Sequence, residues 1–164
     1  MLLPFTRVTF ALSFMAVVAG LVFATVGPSA QGVRAVIQRL NPPGLSTPTG
    51  YSHIVSARGG RTIYVAGQVA QDAKGQLVGK DDLAAQTAQV FANLDTALKA
   101  AGATFNDVVK TNYYMRDASQ VQVLRDIRGR YFTTELPAST LVEVSRLASP
   151  DFLIEIEVVA VVAE

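Results

Sequence analysis

Residues 82–101 read DLAAQTAQVFANLDTALKAA, and this stretch decides the class of fold. Apolar side chains at Leu83, Val90, Phe91, Leu94, Leu98 and Ala101 recur at helical spacing, so the segment predicts a helix with one apolar face. Asp81 or Asp82 can supply the N-cap oxygen, and Gly102 is the C-cap candidate. A helix of this kind has to bury its stripe against another layer.

The partners for that stripe lie on both sides of it. Towards the C-terminus, Val108–Met115 is rich in β-branched and aromatic residues and ends at Asp117, which predicts a strand. Val121, Leu124, Ile127 and Tyr131 then fall on one stripe of a second helix, Ser119–Thr133, which Gly129 weakens by roughly 1 kcal/mol relative to alanine. Pro137 closes that connection. Thr140–Arg146 and Phe152–Val162 are two further strands, separated by the turn residues Ala148-Ser149-Pro150-Asp151. On the N-terminal side, Ser52–Ala57 and Thr62–Ala66 flank Gly59-Gly60 and carry the hairpin signal. Two amphipathic helices against one sheet of five or six strands, all on one face, define a two-layer α+β domain. The strand Phe152–Val162 is apolar on both sides, at Ile154, Ile156 and Val158 and at Leu153, Val159 and Val161. The uncovered face therefore calls for self-association.

The chain divides into three parts. Residues 1–30 have a short n-region with Arg7, the apolar stretch Val8–Val26 and the small-residue segment Gly27-Pro28-Ser29-Ala30-Gln31, the architecture of a signal peptide. Cleavage after Ala30 is one reading. An uncleaved N-terminal anchor is the other, because Val8–Gly27 carries no charge and is long enough to span a bilayer. Either reading places the domain outside the cytoplasm, periplasmic or secreted in the first case and membrane-anchored in the second. Residues 31–50 form a Pro/Gly-rich lead-in with Val36–Leu40 as a possible edge strand, and residues 51–164 form the packed domain.

Charge and composition narrow the function. Fourteen Lys and Arg less Arg7 leave thirteen basic side chains against thirteen acidic ones, so the domain is neutral. Nucleic-acid backbones are held chiefly by clustered Lys and Arg, and this neutral domain has no long basic run. The chain has no cysteine and a single histidine, His53. Disulfides, thiolate sites and thiol nucleophiles are excluded, and a histidine-based metal site is disfavoured. Ser139, Thr140 and Ser145 lie far in sequence from His53, so nothing supports a triad, and the glycines do not form a phosphate loop.

Three segments carry a family likeness. Val65-Ala66-Gly67-Gln68-Val69 comes first, and Ala101-Gly102-Ala103 with Val108-Val109-Lys110-Thr111 second. Pro137-Ala138-Ser139-Thr140, through Val142-Glu143-Val144 to Ile154-Glu155-Ile156-Glu157, completes the series. In order and spacing they resemble the RidA/YjgF family of reactive intermediate deaminases, also called L-PSP endoribonuclease-like. The likeness runs from Tyr51 to the C-terminus.

The resemblance implies a chorismate-mutase-like fold with a mixed sheet and a homotrimer holding a small-molecule ligand in each inter-subunit cleft. It implies hydrolysis of small enamines and imines to carbonyl compounds and ammonia, with no metal or organic cofactor. Carried over by position, it makes Glu155 the catalytic residue that holds the attacking water, and it places Tyr51 and Gly67 against the ligand. Deaminating members carry an arginine where this chain has Ser139, and a serine cannot reproduce a bidentate charged fork. Ala66, Leu141 and Arg125 also depart from the pattern, replacing a serine, a small residue and an asparagine.

Arg125, which shares the second helix with Arg128 and Arg130, is the candidate for supplying a positive charge from a new direction; a solvated helix face is the alternative. Arg146 is a further candidate. Glu155 and Glu157 stand two apart on a strand and share a face, with ion pairing at an interface as the alternative to chemistry. His53 reads as a rim residue. Three functions stay open: an imine or enamine deaminase, a non-catalytic small-molecule-binding trimer, and an endoribonuclease, against which neutrality argues.

Overall fold

A computed structural model describes residues 34–164. The signal or anchor segment expected over residues 1–30 lies outside the described residues. Among the described residues, no helix is long and apolar enough to cross a membrane.

Six strands and two helices follow in the order β1 (Val36–Leu40), β2 (Ile54–Arg58), β3 (Arg61–Gln68), α1 (Leu83–Ala100), β4 (Val108–Met115), α2 (Val121–Arg128), β5 (Ala138–Glu143) and β6 (Ile154–Val162). The main sheet runs β3-β6-β4-β5. β6 pairs antiparallel with both β3 and β4, while β4 and β5 are parallel. A parallel pair needs a crossover, and α2 supplies it between β4 and β5. β3 and β4 also run the same way, with β6 between them, and α1 makes their crossover. The result is a mixed sheet with two helices packed on it, an α+β fold.

The sequence reading departs from this sheet at its N-terminal end. Gly59 and Gly60 both take positive φ, 69° and 75°, but β2 and β3 do not pair across them. β2 pairs instead with β1, from Val36↔Arg58 to Leu40↔Ile54, in a separate two-stranded sheet. The glycines carry the chain from one sheet into the other. At Gly60 the Val162 carbonyl and the Ala35 side chain approach so closely that a Cβ would clash with both. The single sheet of five or six strands is thus four plus two.

α1 matches its expected boundaries because its ends are capped locally. The Asp82 carboxylate accepts from the Ala85 N–H at 3.0 Å, and Gly102 follows the helix at φ 72°. α2 is shorter than its stripe predicted. A 3-10 turn over Ala118–Gln120 precedes it, and it ends at Arg128 against Gly129. Tyr131, expected on the helix, lies beyond it and stacks on Phe91 with ring centroids 4.6 Å apart.

The core fills the space between helices and sheet. Val90, Phe91, Leu94 and Leu98 of α1 meet Val108, Tyr113, Met115, Ile154, Ile156 and Val158. Gln86 is fully buried and fully used: its amide donates to the carbonyls of Gly79 and Asp151, and its oxygen accepts from the Leu153 N–H at 2.8 Å. That one side chain ties the start of α1 to the entry of β6.

Candidate functional site

The site residues expected from the sequence are brought together as two groups. β4 separates them. Ser139 stands in register with Thr111, and Glu155 with Tyr114. Thr111 and Tyr114 are three apart in one strand and therefore project to opposite faces. Ser139 lies on the helix-covered side with buried Thr111, and their hydroxyls are hydrogen-bonded at 2.8 Å. Glu155 lies on the open side.

The open-face group is built around a close approach. A bulge interrupts the β3–β6 register between Val65 and Gln68 and brings Gly67 onto the Glu155 carboxylate. A Cβ on Gly67 would overlap that carboxylate, so only glycine leaves it where it is. Glu155 also lines a groove of about 510 Å3 with Tyr114, Glu157, Arg146 and Leu147. Glu157 is occupied there, accepting from the Asn112 amide at 2.6 Å and the Tyr114 hydroxyl at 3.0 Å. That carboxylate holds the Tyr114 phenol above its usual range, aided by desolvation and by the charge of Glu155. Arg146 is exposed and forms no ion pair with either acid. Glu157 is thus taken up by Asn112 and Tyr114, while among the described residues no side-chain hydrogen bond or ion pair engages Glu155.

The second group gathers where the lead-in meets β5. Ser52 donates its N–H to the Pro137 carbonyl at 2.9 Å and its hydroxyl to the Leu136 carbonyl at 2.7 Å. These bonds, with the Ser52–Ala138 bridge, pin the segment carrying Tyr51 to the start of β5. His53 packs edge-on against Tyr51 and bonds the Ser46 carbonyl through Nε2, so the lone histidine holds the lead-in loop. Arg125 is exposed on α2, whereas Arg128 is half-buried. The Arg128 guanidinium lies against Gly50, next to Tyr51, in space a Cβ on Gly50 would fill.

Arg128 also reaches the Tyr113 hydroxyl, together with Thr111 and Ser139. Burial pushes that phenol up, and these three neighbours pull it part of the way back. They are near enough to act on its ionisation, yet among the described residues the buried hydroxyl has no hydrogen-bond partner. Sequence reasoning favoured Arg125 and passed over Tyr113. The signal was present: Arg128 is four residues beyond Leu124 and seven beyond Val121, on the buried stripe, while Arg125 falls off it.

A larger groove, about 650 Å3, runs between α1 and the chain leaving β3 and meets the site only at Gly67. Its Asn93 amide already donates to the Val69 and Gln71 carbonyls, and its Gln89 amide to Asn93. Those side chains hold the β3–α1 connection. Among the described residues no three metal-ligating side chains come together.

A mixed sheet with two helices packed on it, and a glycine bulge set over a strand glutamate, defines an α+β protein. The model of the endoribonuclease L-PSP family matches residues 44–162. The chain therefore belongs to the RidA/YjgF family. A RutC family protein of Pyrococcus horikoshii is 39% identical over 110 residues, covering 67% of this chain and 85% of that one. The 2-iminobutanoate/2-iminopropanoate deaminase of Homo sapiens is 35% identical over 130 residues, covering 79% and 90%. Among solved structures, the Rid-family protein YyfB of Yersinia pestis, described as of unknown function, aligns with a TM-score of 0.72 at 40% identity. It covers 77% of this chain and 98% of its own.

Proposed function

We propose that this protein hydrolyses small imines or enamines to carbonyl compounds and ammonia in a cleft completed by a second copy of the chain. The observation that carries the reading is the Gly67 bulge, which gives the Glu155 carboxylate a fixed place above an open groove. In that position Glu155 accepts a proton from water as the water oxygen bonds to the imine carbon. The proton passes to nitrogen, the C–N bond breaks, ammonia leaves and the carbonyl forms. For a 2-imino acid, the substrate type in the name of the human relative, the products are a 2-oxo acid and ammonia.

Two features support a second copy. Ser139 lies across the sheet from Glu155, so one subunit does not bring both to one ligand. The open face also presents Tyr64, 80% exposed, and Val142, 40% exposed, an apolar surface suited to another subunit. A homotrimer closes such a contact symmetrically.

The second reading, a binding trimer without turnover, is favoured by Ser139, whose hydroxyl is engaged with Thr111 and carries no charge. Ammonia release from 2-aminoacrylate and from imines generated by an amino-acid oxidase separates the two. The deaminase reading expects release above the uncatalysed rate, reduced about 100-fold or more in Glu155→Ala. No release from any of these substrates leaves the binding reading.

A further inference from the structure

We propose that Arg128 is the anion-gripping residue of this protein: its guanidinium, admitted by Gly50 and close to the buried Tyr113 hydroxyl, takes the carboxylate of a small 2-oxo or 2-imino acid. Three independent observations converge on it. Arg128 is half-buried yet joins none of the ion pairs among the described residues, which are Arg39–Glu135, Lys80–Asp151 and Lys99–Asp95. The Tyr113 hydroxyl behind it is 1% exposed and has no hydrogen-bond partner. Gly50, at φ 74°, contributes no side chain where the guanidinium sits.

A cation drawn part-way out of water needs a counter-charge or a ligand. The end of a helix is not a sufficient reason for its placement. Arg125 shares the last turn of α2 and its carbonyl field, yet stays exposed. The polar groups beside Arg128 at the Tyr113 hydroxyl, Thr111 and Ser139, are neutral hydroxyls. One guanidinium among neutral hydroxyls matches a single planar carboxylate, presenting its fork to two oxygens, whereas a phosphate dianion would leave a charge uncompensated. Tyr113 is a positioning residue: its buried hydroxyl lies within reach of the guanidinium's charge. The choice of an oxo or imino acid rests on the imine-hydrolysis reading, while the grip on a carboxylate does not.

Calorimetric titration of the full-length chain tests this, with 2-oxobutanoate, its neutral amide and inorganic phosphate as probes. The acid is expected to bind at least about tenfold more tightly than the amide or phosphate. Arg128→Met should weaken the acid about tenfold or more, Arg128→Lys by less, and Arg125→Met not at all. Tyr113→Phe should weaken it without lowering the melting temperature, because it removes an unpartnered hydroxyl. A lowered melting temperature with unchanged binding would make Tyr113 merely structural. Wild-type affinity in Arg128→Met, equal affinity for acid and amide, phosphate binding as tightly as the acid, or no binding of the acid would each overturn the proposal. Binding lost in Arg128→Met without any ammonia release would sink the deaminase reading and leave this one standing. Ammonia release unaffected by Arg128→Met would do the reverse.

Discussion

The two faces of the main sheet are made from the same strands but solve different problems. On the helix-covered face, β6 presents Ile154, Ile156 and Val158 to α1, and all three are buried. On the open face the same strand presents Glu155 and Glu157. The alternation of one residue in two sets both the core and the acids, so a shift of one register position would destroy fold and site together. Only one of the two acids is left without partners by the surrounding side chains. Placement on a face is legible from spacing, but a free role is not. It depends on what the neighbouring strand contributes, here Asn112 and Tyr114 to Glu157 and Gly67 to Glu155.

Substitutions on each face should separate stability from chemistry. The largest effect belongs to the covered face. Phe91 is fully buried and stacked on Tyr131, so Phe91→Ala should cost about 3–5 kcal/mol in denaturant unfolding. A loss below about 1 kcal/mol would mean that the aromatic cluster is not the core. Next comes Gly67→Ala on the open face. The backbone there does not need left-handed φ, and the atom a Cβ would meet is the end of a flexible side chain. Thermal stability should therefore change little, while displacement of the Glu155 carboxylate lowers kcat about 100-fold. Equal damage to both would show that Gly67 serves packing.

The smallest effect is electrostatic. Tyr113 and Tyr114 both have raised pKa values, from burial in the first case and from the Glu157 carboxylate in the second. Their folded states keep the phenol proton to higher pH than the unfolded chain does. The stability linked to them is intact below the ordinary phenol value of about 10 and is lost as pH rises through the raised values. In a spectrophotometric titration two phenols should ionise late. Glu157→Gln should return Tyr114 towards the ordinary range and leave Tyr113 late. If both move together, the causes have been misassigned.

How far the sequence revealed this arrangement differs from element to element. α1, β1 and β4 were legible to within a residue, because caps, turn residues and period all point the same way. The Gly59-Gly60 turn was misread as a hairpin, since positive φ at both glycines suits a two-residue hairpin turn but does not choose the partner strand, and β1 lies far back in the lead-in. α2 was read as too long, because its stripe continues through Tyr131 after the helix has ended. Glu155 and Gly67 came from family resemblance, and the bulge that joins them has no local sequence signal. Arg128 was overlooked although its spacing from Val121 and Leu124 marks the buried stripe.

The central claim is that the halves of the site lie on opposite faces of the sheet and meet only between subunits. Refolding Glu155→Ala and Arg128→Met chains together tests it most directly, because each variant alone should release ammonia at about a tenth of the wild-type rate or less. A subunit intact at Glu155 beside one intact at Arg128 rebuilds a whole cleft, so equal mixing should recover about a quarter of the wild-type rate in a cyclic assembly. Mixed assemblies as inactive as either parent would place both residues in one subunit's site and contradict the account.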